Sequence, residues 1–207
     1  RTTNYGSVKP VEVTARKACS DNTNIVCQHS AVVGNYVVHV WSSDTVSNIN
    51  STHSMMAIRR KDTGATILAP TPLGNNIQSP NVAPTTSTTF VVFGLAGTAG
   101  RPLVSRCFAS IPTSITVSGT ISTVCVSGFI YDIDYDISRG SIYILSSYNT
   151  NNKCKLIRAT QSGAGLSKQT VEHAPQASFG ISVFRHPDLD KIYMATWSSV
   201  TSPIKLA

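Results

Sequence analysis

A motif of about 50 residues recurs along the chain and limits its fold more than any other feature. Its aromatic anchors are Tyr36, Phe90, Tyr143 and Tyr193, at spacings of 54, 53 and 50 residues. Each anchor opens a run of alternating or continuous apolar residues that ends at a Gly-, Asn- or Ser-rich break. Half-buried antiparallel strands require such a pattern, and no stretch shows the 3.6-residue period of a helix. The sequence therefore predicts an all-β fold.

Four copies of the motif, at about 24–70, 77–120, 124–173 and 178–207, fill the chain as a single domain. Up to four strands are predicted in each copy, and the last strand of the second copy is placed at 114–120. Four strands per repeat predict a β-propeller blade, because one sheet cannot cover both its faces while radially packed neighbours can. The last copy lacks its final strand. We expect residues 10–15 to supply it and close a four-bladed ring; the alternative is a fragment of a larger propeller.

The last two copies carry a family resemblance. The fourth reads FGISVFRHPDLDKIYMATWSS, with an aromatic-Gly-aliphatic opening, a Pro-Asp turn, Lys-Ile-Tyr and a Trp, and the third reads FIYDIDYDISRGSIYIL. Both resemble the NHL/YVTN class of propeller repeats. Because such repeats occur in ligand-binding modules, adhesins and a few enzymes, the resemblance implies an architecture and not an activity.

The charge balance limits the classes of partner. The net charge is +7, yet only 13% of the residues are charged, so the excess reflects a scarcity of acids. Such a chain can bind acidic glycans, anionic surfaces or nucleic acid, although a solvated basic face is the simpler interpretation. Nucleic acid is disfavoured because the basic residues lack interleaved aromatic residues. No apolar run is long enough to span a membrane. The chain begins at Arg1 without a signal-like segment, so we expect a mature protein or an excised fragment.

Cysteines and one glycosylation sequon favour an oxidising, extracellular setting. Cys19 and Cys27 are close enough in sequence to form a disulfide, while the pairing of the other three cysteines stays open. Asn50 begins an Asn-Ser-Thr sequon in a polar stretch. Together these features predict a secreted protein or one on a cell or virion surface.

A row of acids in the third copy is a candidate calcium site. Asp132, Asp134 and Asp136 alternate along one predicted strand, so their side chains project from the same face. Carboxylate oxygens are the ligands that Ca²⁺ prefers. However, Ile137 stands where a calcium loop needs its glycine. The alternative is that the acids are solvated or paired with arginines. No other cofactor is predicted.

Two further groups are candidate ligand-binding residues. Arg59, Arg106 and Arg158 occupy like positions in successive copies and could form one tier that binds carboxylates or sulfates. The alternative is an architectural role over the neighbouring blade. Trp41 and Trp197 lie just past the anchor strands of the first and last copies and could contact a sugar or a protein, or pack between blades.

No nucleophile elbow, metalloprotease motif or phosphate-binding glycine loop is present. We therefore predict a recognition or adhesion module without catalysis, which binds a glycan or protein partner on another surface. The alternative is a structural coat or fibre subunit that contacts further chains of its own assembly. A metal-dependent propeller hydrolase is the third hypothesis.

Overall fold

The computed structural model describes residues 25–43, 54–74, 77–96, 102–116, 121–125, 131–148, 153–172, 179–186, 191–197 and 205–206. Within these ranges the strands form antiparallel sheets, joined by turns and by one short 3-10 turn. The all-β prediction is confirmed. No helix in the described ranges is long and apolar enough to cross a membrane.

The strands follow chain order within four sheets. Sheet 1 contains β1 Ile25–Val33, β2 Tyr36–Ser43, β3 Ser54–Arg60 and β4 Thr66–Pro72. Sheet 2 contains β5 Ile77–Pro84, β6 Phe90–Ala96, β7 Leu103–Phe108 and β8 Ser122–Cys125. Sheet 3 contains β9 Tyr131–Asp136, β10 Ser141–Tyr148, β11 Lys153–Ser162 and β12 Gly165–Glu172. Sheet 4 contains β13 Phe179–Arg185, β14 Ile192–Trp197 and β15 Lys205–Leu206.

Hairpin turns set the register of these sheets. Between β9 and β10 the chain makes the 3-10 turn Ile137–Arg139, in which Asp136 accepts a hydrogen bond from the Ser138 amide at 3.0 Å. Gly140 ends the turn with a φ of 57°, a left-handed conformation that glycine adopts at little cost. The break in the apolar pattern after the first strand of the third copy is therefore a tight turn that ends at a glycine.

The sheets stack face to face in chain order. One apolar cluster joins sheet 1 to sheet 2 and includes Val38, Ile58 and Phe90. A second joins the opposite face of sheet 2 to sheet 3 and includes Phe93 and Ile144. A third joins the other face of sheet 3 to sheet 4 and includes Tyr143, Leu145, Val183 and Met194, all of them buried. Sheets 2 and 3 are thus covered on both faces, as in the blades of a propeller.

The first strands of the four sheets, β1, β5, β9 and β13, also lie beside one another in chain order. We call this set the first-strand row. Within the row, β9 and β13 run in the same direction: Asp132 contacts Val183, and Asp134, two residues later, contacts Arg185, also two residues later. The row places one strand from each sheet at a common edge of the stack.

One predicted strand is misplaced. In the described residues the fourth strand of sheet 2 is Ser122–Cys125, with Ser122 paired to Ser105 of β7, whereas 114–116 form no strand. The remaining residues of the predicted strand, 117–120, lie outside the described residues. The predicted closing strand at 10–15 lies outside the described residues. The four-bladed ring therefore stays a prediction.

Candidate functional site

Polar side chains interrupt the first-strand row on each of its strands. His29 lies on β1, Asn81 on β5, Asp132 on β9 and Ser182 on β13. All four are half-buried. Half-buried polar groups usually have hydrogen-bonding partners, because an unpaired group loses its contacts with water. The partners of these four residues define what we call the first-strand site.

Asp132 joins sheet 3 to sheet 4. Its Oδ2 accepts hydrogen bonds from the Ser182 hydroxyl at 2.7 Å and from the Val183 amide at 2.9 Å. Among the described residues, no hydrogen bond reaches the other carboxylate oxygen. One oxygen of Asp132 is therefore fixed by the neighbouring sheet, and the second is available to a ligand or a water molecule.

His29 makes the corresponding contact between sheets 1 and 2. The Val82 amide donates to its Nδ1 at 3.4 Å. A nitrogen that accepts a hydrogen bond carries no proton, so the neutral ring must hold its proton on Nε2. Burial lowers the pKa of His29 below 6.5, and the charge of Asp132 partly opposes that shift. At neutral pH this side chain consequently offers an N–H donor.

His29 and Asp132 lie two strands apart in the first-strand row, with β5 between their strands. The charge of Asp132 raises the pKa of His29, against the larger effect of burial.

A further unsatisfied group lies next to the His29 contact. Oδ1 of Asn81 is buried and has no hydrogen-bond partner among the described residues. Asn81 precedes Val82, whose amide donates to His29. A buried acceptor without a partner costs about 1–3 kcal/mol, so a bound water or ligand donor at this point would stabilise the fold.

The other two acids of the predicted calcium site, Asp134 and Asp136, both contact Arg185 of sheet 4. Asp134 accepts from the amides of Tyr135, at 2.8 Å, and Arg185. Asp136 lies 3.1 Å from Nε of Arg185 and 3.6 Å from Nε of Arg139. The hydrogen bond from Ser138, followed by the charge of Arg185, lowers the pKa of Asp136. Each acid thus has protein partners, and the described residues contain no group of three acids, histidines or cysteines that could hold a metal ion.

The three arginines of the predicted tier have different environments. Arg59 donates to the Gly64 carbonyl at 3.3 Å, and exposed Arg158 donates to Ser141 Oγ at 3.2 Å. Arg106 is buried and donates to two carbonyls. Among the described residues, the three guanidiniums donate to different acceptors and share none.

The remaining sequence candidates are placed as follows. Trp41 is buried against Ala57 and Met55, and its indole N–H has no partner among the described residues. Trp197 is described through its backbone, which pairs with Phe179. Cys27 is likewise described through its backbone in β1. Cys19 and Asn50 lie outside the described residues. Cys107 is a free thiol, and Cys125 is buried in the apolar cluster between sheets 2 and 3.

A hydrogen bond between a serine and a histidine lies on the face of sheet 1 that sheet 2 does not cover. Ser30 Oγ is 2.8 Å from His39 Nδ1. Burial and the charge of Arg59 lower the pKa of His39, so its ring is neutral at pH 7. No described carboxylate contacts this histidine. The pair lacks the third group that orients the base in a catalytic triad.

Sequence reasoning missed His29, Asn81 and Ser182. The detectable signal was a polar residue within each first strand, at separations of 52, 51 and 50 residues between His29, Asn81, Asp132 and Ser182. Each copy of the motif therefore carries a polar residue in its first strand, in addition to its aromatic anchor. Only Asp132 was selected, because it alone belonged to a row of like charges.

Comparisons with known proteins give structural similarity alone. No protein-family model and no curated protein matches the chain. Solved structures of similar shape include an exo-β-1,3-galactanase from Phanerochaete chrysosporium with β-1,3-galactotriose, at 13% identity and a TM-score of 0.47. They also include a GH43 β-xylosidase/α-arabinofuranosidase from a compost microbial metagenome with xylotriose, at 9% identity and a TM-score of 0.45.

The extent of these matches differs. The galactanase match covers 81% of this chain but only 41% of the galactanase, so the chain spans less than half of that protein. The xylosidase match covers 90% of this chain and 77% of the enzyme. GH43 enzymes are five-bladed β-propellers. A propeller architecture agrees with the stacked sheets, whereas nothing found supports repeats of the NHL/YVTN class.

The functional prediction from sequence requires correction. Both structures of similar shape are glycoside hydrolases, which contradicts the prediction of a recognition module without catalysis. That prediction is not retained. At TM-scores below 0.5, the likeness itself assigns no activity and no substrate to this chain.

Proposed function

We propose that the chain is a hydrolase that acts on a carbohydrate at the first-strand site. The observation that supports this proposal is the row of first strands, which places His29 of sheet 1 and Asp132 of sheet 3 at one edge of the stack, beside strands of all four sheets. At that edge one oxygen of Asp132 is fixed by sheet 4, and the charge of Asp132 raises the pKa of His29. These contacts, and not the two weakly similar structures, support the proposal.

The chemistry of the two groups suits a sugar. A sugar hydroxyl both donates and accepts hydrogen bonds, and the site offers an acceptor on Asp132 and an N–H donor on Nε2 of His29. A ligand rich in hydroxyl groups can satisfy both groups, while an apolar ligand would leave them unpaired at a cost.

Each residue has a distinct role in the proposed reaction. Asp132 holds one oxygen against Ser182 and Val183, which orients the second oxygen to accept a proton from a water molecule. The water oxygen forms the new bond to the glycosidic carbon as the bond from that carbon to the leaving oxygen breaks, and the leaving group takes a proton from solvent or departs as an anion when it is nitrophenolate. His29 keeps its proton and donates a hydrogen bond from Nε2–H to a sugar oxygen. Asp134 positions the strands, since its two oxygens bind amides of β9 and β13.

An assay with aryl glycosides tests this function. The purified chain is incubated with 4-nitrophenyl glycosides of xylose, galactose, glucose and arabinose, and release of nitrophenolate is followed by absorbance. Asp132→Asn is expected to lower kcat/KM by about 100-fold or more, because it removes the base but keeps the shape. Asp62→Asn is the matched control, since Asp62 lies on an exposed turn and pairs with Arg60.

The control must hydrolyse glycosides at the wild-type rate. Circular dichroism establishes that both variants are folded. If the wild-type chain hydrolyses no glycoside, or if folded Asp132→Asn works as fast as the wild type, the proposed function is wrong.

A further inference from the structure

A cavity of about 320 Å³ lies at the end of β7, away from the first-strand site. The loop that follows β7 forms one side of it, through Pro112, Ile115 and Thr116. Ala164, on the turn between β11 and β12 of sheet 3, lies at its border. Arg106 and Phe108 of β7 line the remaining wall. The cavity therefore lies between two sheets and is separate from the proposed active site.

Arg106 is the unusual member of this lining. The residue is only 7% exposed. Its guanidinium donates to the Leu73 carbonyl at 2.7 Å and to the Thr116 carbonyl at 2.8 Å. Its carbon Cζ lies 5.3 Å from the centre of the Phe108 ring, a cation–π contact. These contacts fix the guanidinium beside the cavity.

The charge of Arg106 has no counterion among the described residues. In those parts of the chain, the ion pairs of carboxylates are with Arg60, Arg139 and Arg185. Two carbonyl dipoles satisfy hydrogen bonds of Arg106 but supply no net negative charge. Burial lowers its pKa, which is the expected effect of removing water from an uncompensated cation. A buried cation without an anion is costly, and an anion in the adjoining cavity would offset that cost.

The rest of the cavity is suited to an apolar group. Phe108, Pro112, Ile115 and Ala164 present ring, methylene and methyl surfaces. The Phe108 ring stacks on Phe90 with centroids 4.6 Å apart, so this wall is rigid. An inorganic anion would satisfy the guanidinium but leave the apolar walls uncovered, while a neutral apolar ligand would leave the guanidinium unpaired.

We propose that this cavity binds a small carboxylate that carries an apolar body. The carboxylate pairs with Arg106, whose guanidinium has five N–H groups and uses two of them on the carbonyls of Leu73 and Thr116. The apolar body lies between Phe108 and the loop residues Pro112 and Ile115. The cavity takes no part in the proposed carbohydrate reaction and is separate from the first-strand row. A test of this proposal is therefore independent of a test of the proposed function.

Binding of benzoate tests the site. Titration calorimetry is performed with benzoate, with benzyl alcohol as a neutral molecule of nearly the same shape, and with sulfate as an anion without an apolar body. We expect benzoate to bind at least about tenfold more tightly than either, since it alone satisfies both parts of the cavity. No benzoate binding, or equal binding of benzyl alcohol or sulfate, would overturn the proposal.

Two variants locate the bound molecule. Ala164→Trp places an indole at the border of the cavity from an exposed turn and is expected to weaken benzoate binding at least about tenfold. Ala65→Trp, on the exposed turn between β3 and β4 of sheet 1, is the matched control and should leave binding unchanged. Arg106→Gln removes the charge, but it also removes bonds to two carbonyls and is informative only if folded. Unchanged binding in Ala164→Trp would place benzoate elsewhere and contradict the assignment.

Discussion

Sheets 2 and 4 are built from copies of the same motif, yet their packing differs. In sheet 2, every residue of the second strand, Phe90–Ala96, is buried, because sheets 1 and 3 cover both faces. In sheet 4, Val183 and Met194 pack on sheet 3, while Phe184 on the other face is 46% exposed. The position of a sheet in the stack therefore determines how many of its faces must be apolar.

The amino-acid patterns of the two sheets reflect this difference. A strand that is buried on both faces carries a continuous apolar run, and β6 reads FVVFGLA. A strand with one covered face alternates: in β13, Val183 faces sheet 3 and Phe184 does not. Phe184 instead stacks on Tyr193 with ring centroids 5.0 Å apart. The following variants test whether burial, and not the motif, determines the energetic weight of each position.

The largest effect is expected for Phe93→Ala. Phe93 is fully buried between sheets 2 and 3, so truncation leaves a cavity that the stacked sheets cannot fill. We expect a loss of about 3–5 kcal/mol in the free energy of unfolding, measured by urea denaturation. A loss below about 1 kcal/mol would mean that sheet 2 is not enclosed as described.

The second largest effect on the free energy of unfolding is expected for a substitution of Gly94, the neighbour of Phe93. A Cβ at this position would lie 2.3 Å from Cγ2 of Ile77 and 2.8 Å from the carbonyl oxygen of Gln78. Because backbone of β5 must move to admit it, Gly94→Ala should cost about 1–3 kcal/mol of unfolding free energy. Gly165→Ala is the control: its Cβ would lie 3.4 Å from the nearest atom, the Ser162 carbonyl oxygen. Equal effects of the two variants would show that β5 and β6 are not in close contact.

The third largest effect is expected on the pH dependence of the free energy of unfolding, at the junction of sheets 3 and 4. The pKa of Asp136 is lowered, first by the hydrogen bond from Ser138 and then by the charge of Arg185. The native state therefore binds this proton less readily than the unfolded chain does. The resulting stabilisation is present above the ordinary aspartate pKa of 3.8 and is lost as the pH falls through the lower native value.

Asp136→Asn should consequently reduce the difference between the unfolding free energies at pH 6 and at pH 3. Ser138→Ala removes the largest cause and should reduce the same difference by a smaller amount. Urea denaturation at the two pH values measures both. An unchanged difference in Asp136→Asn would exclude this carboxylate as a source of the acid sensitivity.

The smallest effect is expected on the uncovered face of sheet 4. Phe184→Ala removes a ring that is about half exposed and one stacking contact, so we expect a loss of about 1 kcal/mol or less. The comparison with Phe93→Ala is direct, because both are phenylalanine truncations within strands. If Phe184→Ala costs as much as Phe93→Ala, this face is covered in solution, as a closed ring would require.

Much of the local architecture was readable from the sequence. The anchors Tyr36, Phe90, Tyr143 and Tyr193 all lie on the second strands of their sheets, where apolar residues are most concentrated. The fourth strand of sheet 2 was predicted too early in the chain because β-branched residues occur in loops as well as strands. The pairing of Ser105 with Ser122 depends on contacts between distant residues, which local pattern does not encode.

The site was less predictable for the same reason. The roles of His29 and Asp132 depend on partners 53 and 51 residues away, Val82 and Val183. Alternation shows which face a side chain takes but not which strand lies opposite. The interpretation of Arg59, Arg106 and Arg158 as one tier assumed equal surroundings, whereas Arg106 alone is buried. Burial of a side chain depends on where its sheet lies in the stack and not on its position in the repeated motif.

The electrostatic coupling of His29 to Asp132 along the first-strand row is the central claim of this account, and proton NMR titration of the histidines tests it most directly. In the wild type, the charge of Asp132 raises the pKa of His29 against the larger effect of burial. We predict that Asp132→Asn lowers the pKa of His29 further, while His39, whose pKa is lowered by burial and by the charge of Arg59, keeps its value. An unchanged pKa of His29 in the folded variant would contradict the coupling of the two residues and the proposed active site together.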